Sequence, residues 1–253
     1  MAEGDTILRL ARRFESTLLG EKVAASAPNP RGRATPIERL DGRTLEAVEA
    51  RGKHLLLGFG DLSLHTHLGM SGGWYFYEPG ARWRRPRASA WALLSGGGWD
   101  AVQFGGPTLR VAATSRLRRD PQLTRLGPDI LAAGFDAEAL AAAIRSDPTR
   151  GLGDALLDQH LVAGIGNIFK SEACFAARVD PWRPVGDLSD GELVAVLAVA
   201  REQMLAAVES GGRHRFQVYK RRQGACPVCR GPISSRGQGD ANRTTYWCPR
   251  CQS

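Results

Sequence analysis

Four cysteines in the last 28 residues, Cys226-x2-Cys229-x18-Cys248-x2-Cys251, have the spacing of a metal site. Each C-x2-C pair puts two thiolates on one knuckle turn, and two knuckles complete a tetrahedron. Four thiolates suit zinc. Because they fill every coordination position, a single Zn2+ here would be structural, holding together a ribbon too small to form its own core. Such a ribbon can grip nucleic acid, but ribbons also serve in ribosomal proteins and as protein-interaction modules. Cys174 is left over from the set.

A second constellation is Gly164-Ile165-Gly166-Asn167 between two apolar helical stretches. Glycines in a turn before a helix expose backbone N–H groups where the helix dipole favours an anion such as phosphate. Asn167 is expected to cap that helix, which is also what an ordinary tight turn would require. Lys53 follows Gly52 at the start of a strand pattern and is one of only 4 lysines in the chain against 30 arginines. Arginine cannot lose its proton, so lysine at this position hints at proton exchange or a particular ammonium geometry; a surface charge at a strand end is the alternative.

The charge balance points the same way. The chain of 253 residues carries a net charge of +8. Residues 212–253 hold Arg213, Arg215, Lys220, Arg221, Arg222, Arg230, Arg236, Arg243 and Arg250 against one acid, Asp240, an excess equal to that whole net charge. Tyr219, Tyr246 and Trp247 interleave with these cations, as in a folded module for a polyanion rather than a solvated tail. No apolar run reaches the roughly 18 residues that span a bilayer, and MAEGDT lacks the blocks of a secretory signal, so a cytoplasmic location without membrane contact is expected.

These residues need elements to position them. Residues 4–19 read as an amphipathic helix with Ile7, Leu8, Ala11, Phe14 and Leu18 on one face. After a turn-rich stretch at 28–36, strand patterns occupy 54–60, 62–68, 74–77, 89–95, 99–105 and 109–113, with RWRRPR (82–87) as an exposed basic loop between them. Beyond about 115 the periodicity is helical, over 136–145, 152–158, 168–176 and 189–209, with Ser189 and Glu192 forming a capping box. The fold class is α+β. An N-terminal antiparallel β-sandwich with flanking helices (1–114) leads through a linker (115–132) to a helical domain (133–212) and the ribbon (213–253).

The run LLDQHLVAGIGNI resembles the helix-two-turn-helix of the formamidopyrimidine-DNA glycosylase and endonuclease VIII family, and the resemblance covers nearly the whole chain. AEGDT resembles its PEGDT start, RGKHLLL (51–57) its lysine-bearing loop, HTHLGMSGGW (65–74) its H-x-x-M-x-G strand, LGPDIL (126–131) its interdomain linker and RTTYWCPRCQ (243–252) its zinc hairpin. The pattern is most similar to the actinobacterial endonuclease VIII branch, which implies a preference for oxidised pyrimidines. The resemblance implies a bifunctional glycosylase and abasic-site lyase of base excision repair, nucleoid-associated and monomeric, acting on damaged duplex or single-stranded DNA. It further implies that Met1 is removed and the α-amine of Ala2 attacks C1′, with the strand then cut by β,δ-elimination. An α-amine has a pKa of roughly 7.7 to 8.0 and is partly unprotonated near neutrality. Glu3 would be the general acid/base and Lys53 would assist elimination. Asn167, Arg243 and, less specifically, His67 would hold phosphates. Met70 would fill the gap left by the extruded nucleotide, although an alternating strand would equally bury it in the core.

Three positions depart from the family pattern. Ala2 replaces proline, so the intermediate would be an imine needing a proton rather than an obligatory iminium. A catalytically impaired protein that still binds damaged DNA is therefore the alternative reading. VYKRRQGAC (218–226) carries Lys220, Gln223 and Ala225 where the family has Gly, Gly and Pro, and QFGGPTLR (103–110) lacks the Arg-Phe-Gly intercalation loop of the formamidopyrimidine branch.

Overall fold

The computed structural model describes residues 2–30, 34–221, 224–239 and 242–253. Met1, Arg222, Gln223, Asp240 and part of the 28–36 stretch lie outside the described residues. The chain divides into two compact units, Met1–Arg125 and Leu126–Ser253.

The first unit opens with α1 (Gly4–Thr17), whose Ile7, Ala11 and Phe14 recur at helical intervals and are buried. Among the described residues eight strands follow: β1 (Ala24–Ser26), β2 (Ala47–Arg51), β3 (His54–Phe59), β4 (Leu62–His67), β5 (Gly73–Tyr77), β6 (Ala92–Gly96), β7 (Trp99–Phe104) and β8 (Thr108–Ala113). They pair antiparallel into two sheets, β1-β6-β7-β5 and β2-β3-β4-β8. Phe14 of α1, Leu57 and Leu64 of one sheet and Trp74 and Leu94 of the other share a single core, which makes the unit a β-sandwich with a flanking helix. Two strands escape the sequence pattern: β1 has only three residues, and the edge strand β2 buries no residue fully. β6 starts later than the pattern predicts because Arg87–Ser89 forms a 3-10 turn, with the Ser89 hydroxyl donating to the Pro86 carbonyl at 2.7 Å.

Strand register sets His54 opposite His67, and His65 opposite Arg110, on the sheet face away from the core. The short helices α2 (Thr114–Leu117) and α3 (Pro121–Thr124) close this unit, with Asp120 capping α3. Asp120 accepts from Arg110 at 2.5 Å, Arg110 donates to His65 Nδ1 at 3.3 Å, and His65 Nε2 lies 2.8 Å from His54 Nδ1. A guanidinium can only donate. His65 Nδ1 is therefore an acceptor, the proton of the neutral ring sits on Nε2, and His54 receives it as a hydrogen bond at Nδ1. Burial, then neighbouring His65, brings His54 down to about 3. Burial, then Arg110, brings His65 down to about 4.

The second unit contains α4 (Ala137–Ile144), α5 (Leu152–Leu157), α6 (Asn167–Ala176) and α7 (Asp190–Glu209). Asp136 caps α4, and Ser189 and Glu192 form the capping box that starts α7. α5 and α6 are the helix-two-turn-helix pair. Gln159 organises the turn between them: its amide donates to the Leu157 and Ile165 carbonyls at 2.9 and 3.0 Å and accepts from Gly164 N–H at 3.1 Å. Residues 127–130 hydrogen-bond to this turn through Gly127 to Gln159 and Ile130 to Ala163. Cys174 is fully buried in the helical core, where loss of hydration pushes its thiol up to about 12, so it behaves as a small apolar residue. Among the described residues, no helix is long and apolar enough to cross a membrane.

The ribbon is the hairpin β9 (Ser234–Gln238) and β10 (Arg243–Trp247) with a cysteine knuckle on each side. The Sγ atoms of Cys226, Cys229, Cys248 and Cys251 all lie within 4.8 Å of one another. Two of the separations, Cys226 to Cys251 at 3.8 Å and Cys229 to Cys248 at 3.5 Å, are close to the ~3.8 Å edge of a tetrahedron with Zn–S bonds of ~2.3 Å. The donor set fits one structural Zn2+.

Chelation, or Cys248→Ser, should unfold the ribbon while the β-sandwich stays folded; tryptophan fluorescence and amide exchange resolved by unit would show this, and protection of β9 and β10 retained without metal would refute it. Between about 3 and 6.5 the folded state holds fewer protons on His54 and His65 than the unfolded state does. Stability should therefore rise with pH through that interval and be lost as pH falls below 6.5. His54→Gln should flatten the urea midpoint against pH between about 5 and 6.5, and an unchanged slope would count against the neutral histidine chain.

Candidate functional site

In the first unit the candidate nucleophile and its neighbours come together at the start of α1. Glu3 is the helix N-cap residue in extended conformation and is 1% exposed. Ala2, half-buried against the core, donates its backbone N–H to the Gly69 carbonyl at 3.2 Å. Gly69 and Met70 line a cleft of about 710 Å³ with Ser71, Arg85, Trp91 and Gly106. Gly106 must be glycine: its φ is +112°, and a Cβ there would meet the His67 carbonyl at 3.0 Å. The glycine-rich 105–107 segment thus packs directly against the 67–70 loop. Met70 is 69% exposed, which removes the core reading and leaves its thioether at the cleft beside Ala2.

Lys53 sits in the two-residue turn between β2 and β3, where Arg51 pairs with His54. Gly52 takes φ +57° and Lys53 an ordinary negative φ, the pattern of a type II′ hairpin that places glycine first. The lysine charge acts on both His54 and His67. His67, whose ring lies 4.8 Å from that of His54, is held below its ordinary pKa by burial and then by Lys53. The turn therefore presents one ammonium against neutral imidazoles rather than a cluster of like charges. The pairing of His54 with His65 is not evident from sequence, because only strand register brings together rings eleven positions apart.

In the second unit the structure corrects one expectation. Gly166, not Asn167, is the N-cap of α6, and Asn167 is the first helical residue. Its side chain is drawn instead to the ribbon, donating to the Thr244 carbonyl at 2.7 Å, while its Oδ1 is buried without a partner. Arg243, exposed at the start of β10, is the chain neighbour of Thr244, so the two predicted phosphate ligands lie on adjoining elements. Two further residues of α6 fix this arrangement, and neither stands out in the sequence. Lys170, fully buried, donates to Thr245 Oγ1 at 2.5 Å. Glu172, 2% exposed, accepts from the backbone N–H groups of Gln217, Val218 and Tyr219 at 2.8, 2.9 and 2.7 Å. Lys220, at a position where the resembled pattern has glycine, keeps the left-handed backbone with φ +59°. Such a backbone costs an L-residue about 1–2 kcal/mol, and the Lys220 ammonium lies 5.7 Å from the Tyr219 ring centre.

Comparison with known proteins covers the same elements. The Formamidopyrimidine-DNA glycosylase N-terminal domain matches residues 1–100, the Formamidopyrimidine-DNA glycosylase H2TH domain residues 126–217, and the Zinc finger found in FPG and IleRS residues 225–253. A probable endonuclease 8 2 of Streptomyces coelicolor is 38% identical over 100% of this chain and 94% of its own. Endonuclease 8 2 of Mycobacterium tuberculosis is 31% identical over the whole of both chains. In fold, the chain is similar to Lactococcus lactis formamidopyrimidine-DNA glycosylase non-covalently bound to DNA containing an abasic site, with a TM-score of 0.84 at 23% identity over 99% of each. With all three domain types matched in order, and relatives at this identity spanning the chain from end to end, the protein belongs to the formamidopyrimidine-DNA glycosylase and endonuclease VIII family.

Proposed function

We propose that this protein excises oxidised bases, pyrimidines above all, from DNA and cuts the strand at the resulting abasic site, with Ala2 as nucleophile once Met1 is removed. The observation that carries this reading is the placement of the Ala2 nitrogen 3.2 Å from the Gly69 carbonyl, where Gly69 and Met70 line a cleft and the buried Glu3 is the next residue. An α-amine that keeps one N–H on Gly69 has its orientation fixed, and its lone pair is available to an incoming C1′.

The Ala2 nitrogen bonds to C1′ as the glycosidic C–N bond breaks and its electron pair leaves with the base; the proton that the new C–N nitrogen must lose passes to the departing base, which leaves neutral. Glu3 delivers a proton to the ring oxygen as the C1′–O4′ bond opens, giving a protonated imine. Loss of a C2′ proton lets the C3′–O bond break and the 3′ phosphate depart; a second elimination releases the 5′ phosphate. Lys53, beside neutral His54 and His67, stabilises the departing phosphate and takes part in proton transfer. Asn167 and Arg243 hold the backbone through phosphate contacts, which position without reading sequence. Cys226, Cys229, Cys248 and Cys251 would hold a Zn2+ that keeps rigid the hairpin carrying Arg243.

Ala2 also supports a second reading, a family member that binds abasic DNA without completing the reaction, because a primary amine forms an imine that must hold a proton to act as an electron sink. One experiment separates the two. Borohydride added during incubation with abasic-site DNA should fix the protein covalently to the strand, with Ala2 as the modified residue. Ala2→Pro should raise the trapped fraction several-fold, and Glu3→Gln should lower base excision by about 100-fold or more while sparing a preformed abasic site. Absence of trapping by protein with a verified free Ala2, together with activity in Ala2→Pro, would establish the binder instead.

A further inference from the structure

A polar chain on the sheet face away from the core of the first unit runs from a helix start to the turn that carries Lys53. Asp120 is held at both carboxylate oxygens: Oδ1 accepts from the Gln122 N–H at the start of α3 at 2.8 Å, and Oδ2 accepts from Arg110 at 2.5 Å. Arg110 of β8 donates to His65 of β4 at 3.3 Å, and His65 donates to His54 of β3 at 2.8 Å. These strands are neighbours in one sheet, so the chain crosses three of them and ends on the residue next to Lys53.

The direction of the chain is set from its charged end. Arg110 can only donate, which leaves His65 one tautomer, and His65 then imposes one on His54: Nδ1 accepts and Nε2 bears the proton. His54 faces charged or titratable groups from each neighbouring element, Arg51 opposite it on β2, Lys53 in the turn, and His65 and His67 on β4, with Asp120 beyond. His67 is its direct cross-strand partner and is followed by Leu68 and Gly69, whose carbonyl accepts the Ala2 N–H. The His54 ring thus sits between the Lys53 turn and the strand that ends at the loop receiving Ala2. Stability alone does not account for this arrangement. Arg110 Nε is buried with no partner among the described residues, and burial keeps two imidazoles from charging. Both features cost free energy that apolar side chains at 65 and 110 would not, and such costs gather where a group must be held for chemistry.

We propose that Asp120, Arg110 and His65 are positioning residues for the Lys53 turn, a relay that fixes the His54 ring in one orientation and one tautomer beside the lysine. The relay presupposes the part in elimination given to Lys53 above, and adds three residues that act only through His54. With Nδ1 occupied as an acceptor, His54 offers no site for a second proton, so no imidazolium forms against the Lys53 ammonium.

The test is single-turnover cleavage of a duplex with a preformed abasic site between about pH 5 and 8, alongside borohydride trapping on the same DNA. Arg110→Met removes the donor that orients His65, and His65→Leu removes the donor to His54 with a side chain that suits a buried strand position; circular dichroism melting checks that each is folded. Either change frees His54 Nδ1 to bind a proton near the ordinary histidine value of about 6.5. Cleavage should be about 10-fold slower than wild type at about pH 7.5, and the ratio of the two rates should fall further as pH drops through about 6.5. Trapping should stay within about 2-fold, because Ala2 and Glu3 are untouched. Arg110→Lys, which keeps a cationic donor, should restore most of the rate and the wild-type profile. Folded Arg110→Met and His65→Leu proteins whose rate ratio is flat across that range overturn the relay alone, whatever their absolute rate. Should neither variant fold, ring-nitrogen shifts of wild-type His54 decide: Nδ1 unprotonated throughout about pH 5 to 7 supports the relay, and titration there overturns it. A wild-type protein that is trapped but does not cleave overturns the elimination role of Lys53 and the relay with it.

Discussion

The second unit depends on a helix that buries what helices usually expose. Eight of the ten residues of α6 are buried, and four of them are Asn167, Lys170, Ser171 and Glu172. Burying polar groups costs stability unless they find partners, and removing one partner from a buried charge costs about 3–5 kcal/mol. The partners here come from the chain that follows α7: Thr244 for Asn167, Thr245 for Lys170, Tyr246 N–H for Ser171 and the backbone of 217–219 for Glu172. The ribbon must therefore dock in one register. A hairpin of two five-residue strands cannot hold that register through its own small apolar cluster, so the metal knuckles become a condition for the packing of a helix far from them in sequence. Arg243 gains its position beside Asn167 as a consequence.

The first unit solves a related problem with backbone contacts. The start of α1 is pinned by Glu3 and by the hydrogen bond from Ala2 to Gly69, and the 67–70 loop is pinned in turn by close approach of Gly106. The glycine and proline at 105–107 thus support the candidate nucleophile. A bulky side chain in that segment would have to displace the loop that receives Ala2. The exposure of Met70 has the same origin, because a loop held by its backbone on both sides is free to present a long apolar side chain outward.

Much of this was legible in the residues. The four-cysteine spacing, the capping box of Ser189 and Glu192, the apolar stripe of α1 and the alternation of most strands are local signals, and local signals survive folding. What could not be read depends on register or on distant partners. His54 and His65 bond only because β3 and β4 pair in one alignment, and Glu172 is clamped to residues 45 to 47 positions away. Asn167 is the instructive miss: asparagine after glycine has good capping chemistry, but the Thr244 carbonyl supplies a stronger claim on its amide and Gly166 takes the cap position. Lys220 shows the converse, a residue change that leaves the glycine-like backbone in place.

The choice between the two cations follows from the same physics. In a chain with 30 arginines and 4 lysines, two of the lysines occupy places that arginine would serve badly. Lys170 is fully buried with its ammonium on the Thr245 hydroxyl; a guanidinium there would bring five N–H donors and need acceptors for all of them. Lys53 occupies a two-residue turn beside neutral imidazoles, where a compact charge that can give up its proton differs in kind from one that cannot. The 82–87 loop shows the opposite requirement, since lying over Tyr75, Phe104 and Trp83 suits a flat cation. Arginine thus stands in the 82–87 loop where a flat cation must stack, and lysine at positions 53 and 170 where a compact charge must fit.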